Sequence, residues 1–141
     1  HHAKEANILN NNIFIFDSIP KEELPQLYHE CDMGSSFVIP VKELWANSAN
    51  KFFDTLAAGK PILINYKRWQ KKLIQEKNIG YVLPTIINDD AVNNFISYTN
   101  NKSLHSKQER NALAVAKKNF STSAAIMKYN TLLKHVKQHD L

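Results

Sequence analysis

The sequence predicts an α/β domain, a parallel sheet layered with helices on both faces. Three observations predict it. Short apolar runs alternate with helical patterns in the order strand, helix, strand, helix, strand, helix, strand, and then helices. The apolar runs are continuous rather than alternating, as in parallel strands covered on both faces. Glycine and proline punctuate the joins, at Pro40, Gly59, Pro61, Gly80 and Pro84.

The first strand is read at Asn12 to Phe16 (NIFIF), bounded by an Asn run and by Asp17-Ser18. Pro20 to Cys31 reads as a helix, with Leu24, Leu27, Tyr28 and Cys31 at i, i+3, i+4 and i+7. Pro25 suits only a first turn, so the regular helix begins near Leu24. Cys31 falls on the apolar stripe and is assigned to the core rather than to a nucleophile. Met33 to Ile39 is the second strand, ended by Pro40 and followed by a loop, Val41 to Ala46. A helix over Ala49 to Ala58 is stopped by Gly59, with Pro61 just beyond. Pro61 to Asn65 (PILIN) is the third strand.

Trp69 to Lys77 is a short helix, and Tyr81 to Leu83 a short strand ended by Pro84. Asp89-Asp90 open the next helix, to Tyr98, where acidic residues suit the helix dipole. Ser103 to Phe120 and Ser123 to Lys137 are helical, the last with Ile126, Tyr129, Leu133 and Val136 on one stripe. Ligands of such sheets bind beyond the carboxyl ends of the strands. The loops at Asp17–Pro20, Val38–Asn50, Asn65–Trp69 and Pro84–Asp89 are therefore expected along one edge.

The 141 residues suit one domain with one core. His1-His2 reads as the end of a purification tag and is set aside, leaving residues 3–141 as the single domain. No apolar run reaches the roughly 18 to 20 residues of a membrane span. The lone Cys31 excludes an internal disulfide, fits a reducing compartment and has no second cysteine for a zinc site. A net charge of +5 invites a nucleic-acid reading. The lysines are dispersed, however, and only Lys67-Arg68 with Lys71-Lys72 cluster. No zinc finger, RRM signature or basic heptad arm is present. With three glycines the chain has no GxGxxG and no P-loop, one of which a self-sufficient dinucleotide or NTPase site needs.

The stretch NSANKFFDTLAAGKPILIN, Asn47 to Asn65, carries the chemistry. Residues 3, 4 and 7 apart share a helix face, so Asn50, Lys51 and Asp54 stand together, with Asn47 and Ser48 before or at the cap. Phe53, Leu56 and Ala57 are the expected buried stripe. Ser48 and Asn50 are both good cap residues, and the free N–H groups there can hold phosphate. A carboxylate one turn deeper, Asp54, suits the paired hydroxyls of a ribose instead. A Lys51–Asp54 surface ion pair is the alternative explanation of the same spacing.

This stretch resembles the signature region in the C-terminal domain of GT-B glycosyltransferases of family 4, glycosyl transferases group 1. That signature runs Glu, seven residues, Glu, then Ala-x-Ala-x-Gly-x-Pro-Val. Asp54 falls on its second acidic position, and LAAGKPILI follows in the family's manner. NIFIFDSIPKEELPQLYHECDMG, WQKKLIQEKNIGYVL and NFSTSAAIMKYNTLLKHV resemble the flanking segments, so the likeness covers most of the chain. Its most specific part is typical of bacterial capsule and O-antigen transferases. Ala46 stands where the first Glu of the signature is expected, with Glu43 nearby at the wrong spacing.

The resemblance implies a Rossmann-like fold, the GT-B C-terminal half without its first strands, cut from a larger two-domain enzyme. It implies a retaining hexosyltransferase acting in surface polysaccharide (capsule or lipopolysaccharide) biosynthesis, inactive as this fragment alone. The donor would be a nucleotide-sugar, UDP-linked, and no cofactor or metal would be needed. It implies the donor ribose at Asp54 and the diphosphate at Ser48, Ala49, Asn50 and Lys51. Ser18 and Ile19 would border the base, and Glu43, Trp45 and Asn47 are the candidates for the sugar. No catalytic residue is assigned. The acceptor, a glycan or lipid-linked glycan, would come through a missing N-terminal domain, and nucleic acid is not expected as a partner. The expected place is the cytoplasm, at the inner face of the bacterial plasma membrane. A non-catalytic nucleotide-binding regulatory module and a basic nucleic-acid-binding domain are the two alternatives.

Some residues stay open. Trp45 either stacks on a sugar or base or packs. Tyr66 and Trp69 flank Lys67-Arg68 and either line a donor cleft or sit in a basic, solvent-facing turn. His135 and His139, at i and i+4, could ligate a metal, but near a chain terminus no metal site is assigned to them.

Overall fold

The computed structural model describes residues 2–39, 41, 44 and 49–139. It is a mixed α/β fold of Rossmann-like character built on a three-stranded parallel sheet. The strands are β1 (Gly34–Ser36), β2 (Ile62–Ile64) and β3 (Gly80–Val82), in the order β1-β2-β3. Gly34 pairs with Ile62 and Ile62 with Gly80. The helices are α1 (His2–Glu5), α2 (Leu24–Glu30), α3 (Asn50–Ala57), α4 (Trp69–Lys77), α5 (Asp89–Thr99), α6 (Lys102–Val115) and α7 (Thr122–His139). A 3-10 turn, Lys21–Glu23, precedes α2, and a π-helical turn, Ala116–Phe120, follows α6.

The β2 run ILI is buried on every residue, so the continuous apolar pattern marks a strand covered on both faces. Around it close Phe52 and Leu56 of α3, Ile74 of α4, Ile79, and Ala112, Val115 and Ala116 from the α6 end. These side chains form the core. Because the strands are parallel, each crossover helix returns the chain. The N-termini of α3, α4 and α5 therefore start from the carboxyl edge of the sheet. Asn78, in the left-handed conformation, ends α4, and Gly59 at φ 71° makes the tight turn after α3.

A hydrogen-bond relay fastens α5 and α6 to β3. The Tyr98 hydroxyl donates to Gln108 Oε1 at 2.6 Å. The Gln108 amide donates in turn to Asn78 Oδ1 at 2.9 Å and to the Gly80 carbonyl at 3.1 Å. Tyr81, Phe95 and His105 pack their rings around Tyr98. Burial, with the nearby Tyr81, pushes the Tyr98 hydroxyl up to about 12.

The strand expected at Asn12–Phe16 is not formed. Ile13 makes only an isolated bridge to Leu9, and Phe14, Ile15 and Phe16 are exposed. An apolar β-branched run can fill a buried strand, but the ladder also requires a neighbour. Here β1 pairs with β2 alone, and no described strand lies beside NIFIF. The helix after it forms, yet α2 buries none of its residues: Leu24, Tyr28 and Cys31 are half-buried and Leu27 is exposed. Cys31 is thus not a core residue.

The other elements lie close to where the sequence places them; the second and third strands are shorter, and the last, read at Tyr81–Leu83, is displaced by one residue to Gly80–Val82. The second strand is trimmed to Gly34–Ser36, and Phe37 and Ile39 are exposed beyond it. The helix read over Ser103 to Phe120 changes character at Ala116, where a π turn replaces α geometry. Among the described residues no helix is long and apolar enough to cross a membrane.

Candidate functional site

The helix α3 positions the site. Its buried face is Phe52, Thr55 and Leu56, one residue displaced from the expected stripe of Phe53, Leu56 and Ala57. Phe53 is half-buried and Ala57 exposed. The cause lies in the neighbours: Thr55 faces Gly34 of β1, so closely that a Cβ on Gly34 would meet the Thr55 side chain. The small Thr55, which satisfies its hydroxyl on the Lys51 carbonyl at 2.6 Å, lets α3 lie against the sheet. Phe53 is freed for a surface aromatic group with Trp69 and Phe120, its ring centroid 5.0 Å from that of Phe120.

This rotation leaves Asn50, Lys51 and Asp54 exposed. The cap residue of α3 is Ala49, in extended conformation and without a side-chain cap bond; Asn50 is the first helical residue rather than the cap. The first N–H groups of α3 therefore have no side-chain acceptor among the described residues. Ser48, Glu43, Trp45 and Asn47 lie outside the described residues, as does Ala46.

The Asp54 carboxylate makes neither a hydrogen bond nor an ion pair among the described residues, and Lys51 does not pair with it. Asp54 and Ala57 form a floor shared by two cavities. One, of about 530 Å³, is walled by Leu24, Pro25, Tyr28 and His29 of α2, with Lys21 at its margin. The other, of about 300 Å³, is walled by Phe53, Leu113, Ala116, Lys117 and Phe120. Asp54 is thus an open acceptor between apolar walls, with Lys21 and Lys117 on either side. Sequence reading missed Lys21, Tyr28 and Lys117. The π turn that brings Lys117 beside α3 has no sequence signature.

Ser18 and Ile19 do not join this group. Ser18 is exposed, and Ile19 lines a separate cavity with Phe16, Glu23, Leu27 and Glu30, on the opposite face of α2 from Tyr28. The missing NIFIF pairing explains this, because the loop that was to start from a strand end at the sheet edge starts from an unpaired segment instead.

The β2–α4 turn sits at the carboxyl edge, as expected. Lys67 and Lys71 line a cavity of about 450 Å³ there with Leu83, Pro84 and Thr85 beyond β3. Arg68 has φ 79° and ψ −148°, a region that only glycine visits freely, so the turn is strained where it meets α4. Tyr66 is buried, its hydroxyl 3.4 Å from Ser36 Oγ, and is part of the core rather than of a cleft wall. Trp69 is partly exposed and joins the aromatic group beside α3. Among the described residues no three His, Cys, Asp or Glu side chains gather to hold a metal ion.

Comparisons with protein-family models, with curated proteins and with solved structures find no match to this chain.

Proposed function

We propose that this chain is the donor-binding half of a retaining glycosyltransferase of the GT-B type, acting on a nucleotide-sugar in bacterial surface polysaccharide synthesis. One observation carries the reading. Asp54 is an exposed carboxylate with no partner among the described residues, one turn inside α3, and α3 starts from the carboxyl edge of a parallel sheet. A surface ion pair with Lys51 would have explained the same residues without a ligand, and that pair is not made.

On this reading the diphosphate lies at the first turn of α3, near Asn50 and Lys51, where free N–H groups and one full positive charge meet it. The ribose hydroxyls donate to Asp54. Fixed positive charge at the diphosphate stabilises the leaving group without reorganisation during reaction. The sugar acceptor is supplied by a second domain facing this one across the cleft, and the reaction takes place in the cytoplasm.

Titration calorimetry with UDP, GDP and a short single-stranded oligonucleotide, each at low and high salt, tests the reading. A nucleotide held in a cleft should bind one to one and weaken little with salt. Oligonucleotide binding that collapses with salt, in the absence of nucleotide binding, would assign the positive charge to nucleic acid instead. Binding of UDP without any transfer in the full-length enzyme would favour the regulatory module.

A further inference from the structure

The helix α7 is 18 residues long, and Ala124 is its only buried residue among those whose burial is described. Ile126, Tyr129, Leu132, Leu133 and Val136 are between 44% and 62% exposed. At 3.6 residues per turn these five fall within about one third of the helix circumference. Ala124, which faces the body, lies on roughly the opposite side. The apolar stripe therefore points away from the domain.

The charge on this part of the chain has one sign. From Ala116 to His139 the sequence carries five lysines, Lys117, Lys118, Lys128, Lys134 and Lys137, and no Asp or Glu. Lys117, Lys118, Lys128 and Lys134 are exposed. Lys128 donates to the Asn119 carbonyl at 3.3 Å, which satisfies one of its protons, and it makes no ion pair among the described residues. A second copy docked on the stripe would set these lysines against each other with no carboxylate in the segment to balance them. An anionic lipid surface complements both features, the apolar arc and the positive charge.

We propose that α7 lies flat on a membrane surface rich in anionic phospholipid, with the Ile126–Val136 stripe in the acyl boundary and the lysines at the headgroups. The helix does not span the bilayer. This inference is independent of the nucleotide site, so a chain that bound no nucleotide would still bind the vesicles.

Sedimentation of the chain with vesicles tests it. Vesicles of phosphatidylcholine alone are compared with vesicles containing one third phosphatidylglycerol, at low and at high salt. Binding is expected to the anionic vesicles only and to weaken with salt. Leu133→Asp should abolish it, and circular dichroism should be unchanged because Leu133 is exposed. Lys128→Gln with Lys134→Gln keeps the stripe and should lower the partition coefficient about fivefold for each lysine. Equal binding to neutral vesicles, no binding, or full binding by Leu133→Asp, as the exposed NIFIF segment would give, overturns the proposal. So does a stable dimer in solution that Leu133→Asp dissociates.

Discussion

Asn65 grips Val38 through both of its backbone groups. Asn65 Oδ1 accepts from the Val38 N–H at 2.9 Å, and Asn65 Nδ2 donates to the Val38 carbonyl at 2.9 Å. The last paired residues of β1 and β2 are Ser36 and Ile64, so the side-chain amide adds a rung just past the end of the ladder. It ties the start of the connection to α3 onto the carboxyl edge of β2. Asn65→Leu keeps the branched shape and removes both bonds, leaving a part-buried N–H and C=O without that partner. Each such loss is worth about 1 kcal/mol, so stability should fall by roughly 1 to 3 kcal/mol, read from urea midpoints at constant slope. Asn65→Asp keeps one bond and sets a carboxylate against the carbonyl; it should be no better.

Gly80 is the second test of the sheet. A Cβ there would run into the carbonyl and nitrogen of Ile62 on the neighbouring strand. Backbone cannot move aside as a side chain can, so Gly80→Ala should part β2 from β3 and release the Gln108 bond to Gly80. We expect a loss of more than about 2 kcal/mol, at the severe end for point changes. A Cβ at Gly59 would meet Leu113 and the Glu109 carbonyl only at ordinary van der Waals distance, so Gly59→Ala is strained by its φ of 71° alone and should cost about 1 kcal/mol. Thermal denaturation of the two variants should rank them in that order, and the reverse order would contradict the β2–β3 register.

The Tyr98 hydroxyl gives a pH test. Its value is raised to about 12, first by burial and then by Tyr81, against 10.0 for a free tyrosine. Between these values the unfolded chain has lost a proton that the folded chain still holds. Stability therefore falls as pH rises from 10 towards 12 and is unaffected by this group below 10. Tyr98→Phe should flatten that part of the curve relative to wild type. It should also lower stability by about 1 kcal/mol at neutral pH, through loss of the bond to Gln108. An unchanged slope above pH 10 would place Tyr98 in contact with water.

The helices were legible because their signals are local. Trp69–Lys77 has the predicted bounds, and α3 and α5 are within a residue at each end. Caps, periodicity and glycine stops act within one turn of the chain. The strand NIFIF was misread because burial of a strand depends on what lies beside it, which a run of apolar residues does not encode. The face of α3 was misread by one residue because Phe53 and Phe52 are equally apolar. Only the contact of Thr55 with Gly34 decides which one turns inward. At the site, Asp54 and Lys51 were legible from helical spacing. Lys21 and Lys117 were not, since they approach α3 from segments 33 residues before and 63 residues after Asp54.

Lys51 stands in the first turn of α3, exposed and without an ion pair among the described residues. On the proposed reading its charge meets the diphosphate and nothing else. Lys51→Ala should weaken UDP binding several-fold and leave uridine binding unchanged. The fold should tolerate it, because its structural role is confined to the backbone carbonyl that receives Thr55. Equal loss for UDP and uridine would make Lys51 a scaffold residue.

Asp54 supports the sharpest prediction. Its carboxylate has no partner among the described residues and lies on the floor between the α2 wall and the Lys117–Phe120 wall. If it accepts from both ribose hydroxyls, each charge-assisted bond is worth about 1.5 to 3 kcal/mol. Asp54→Asn keeps the shape and one acceptor and should cost about tenfold in affinity for UDP. Asp54→Ala should cost more. The 2′-deoxy nucleotide should bind the native chain weakly and lose little further in either variant. Removing the hydroxyl and removing the carboxylate delete the same bond, so their effects cannot add. Were Asp54 only a favourable charge on α3, the variants would weaken ribo- and deoxyribonucleotide alike and the two effects would sum. A calorimetric cycle of two proteins and two ligands separates these cases. A coupling energy of about 1 kcal/mol or more marks direct contact, and a value near zero removes Asp54 from the ribose.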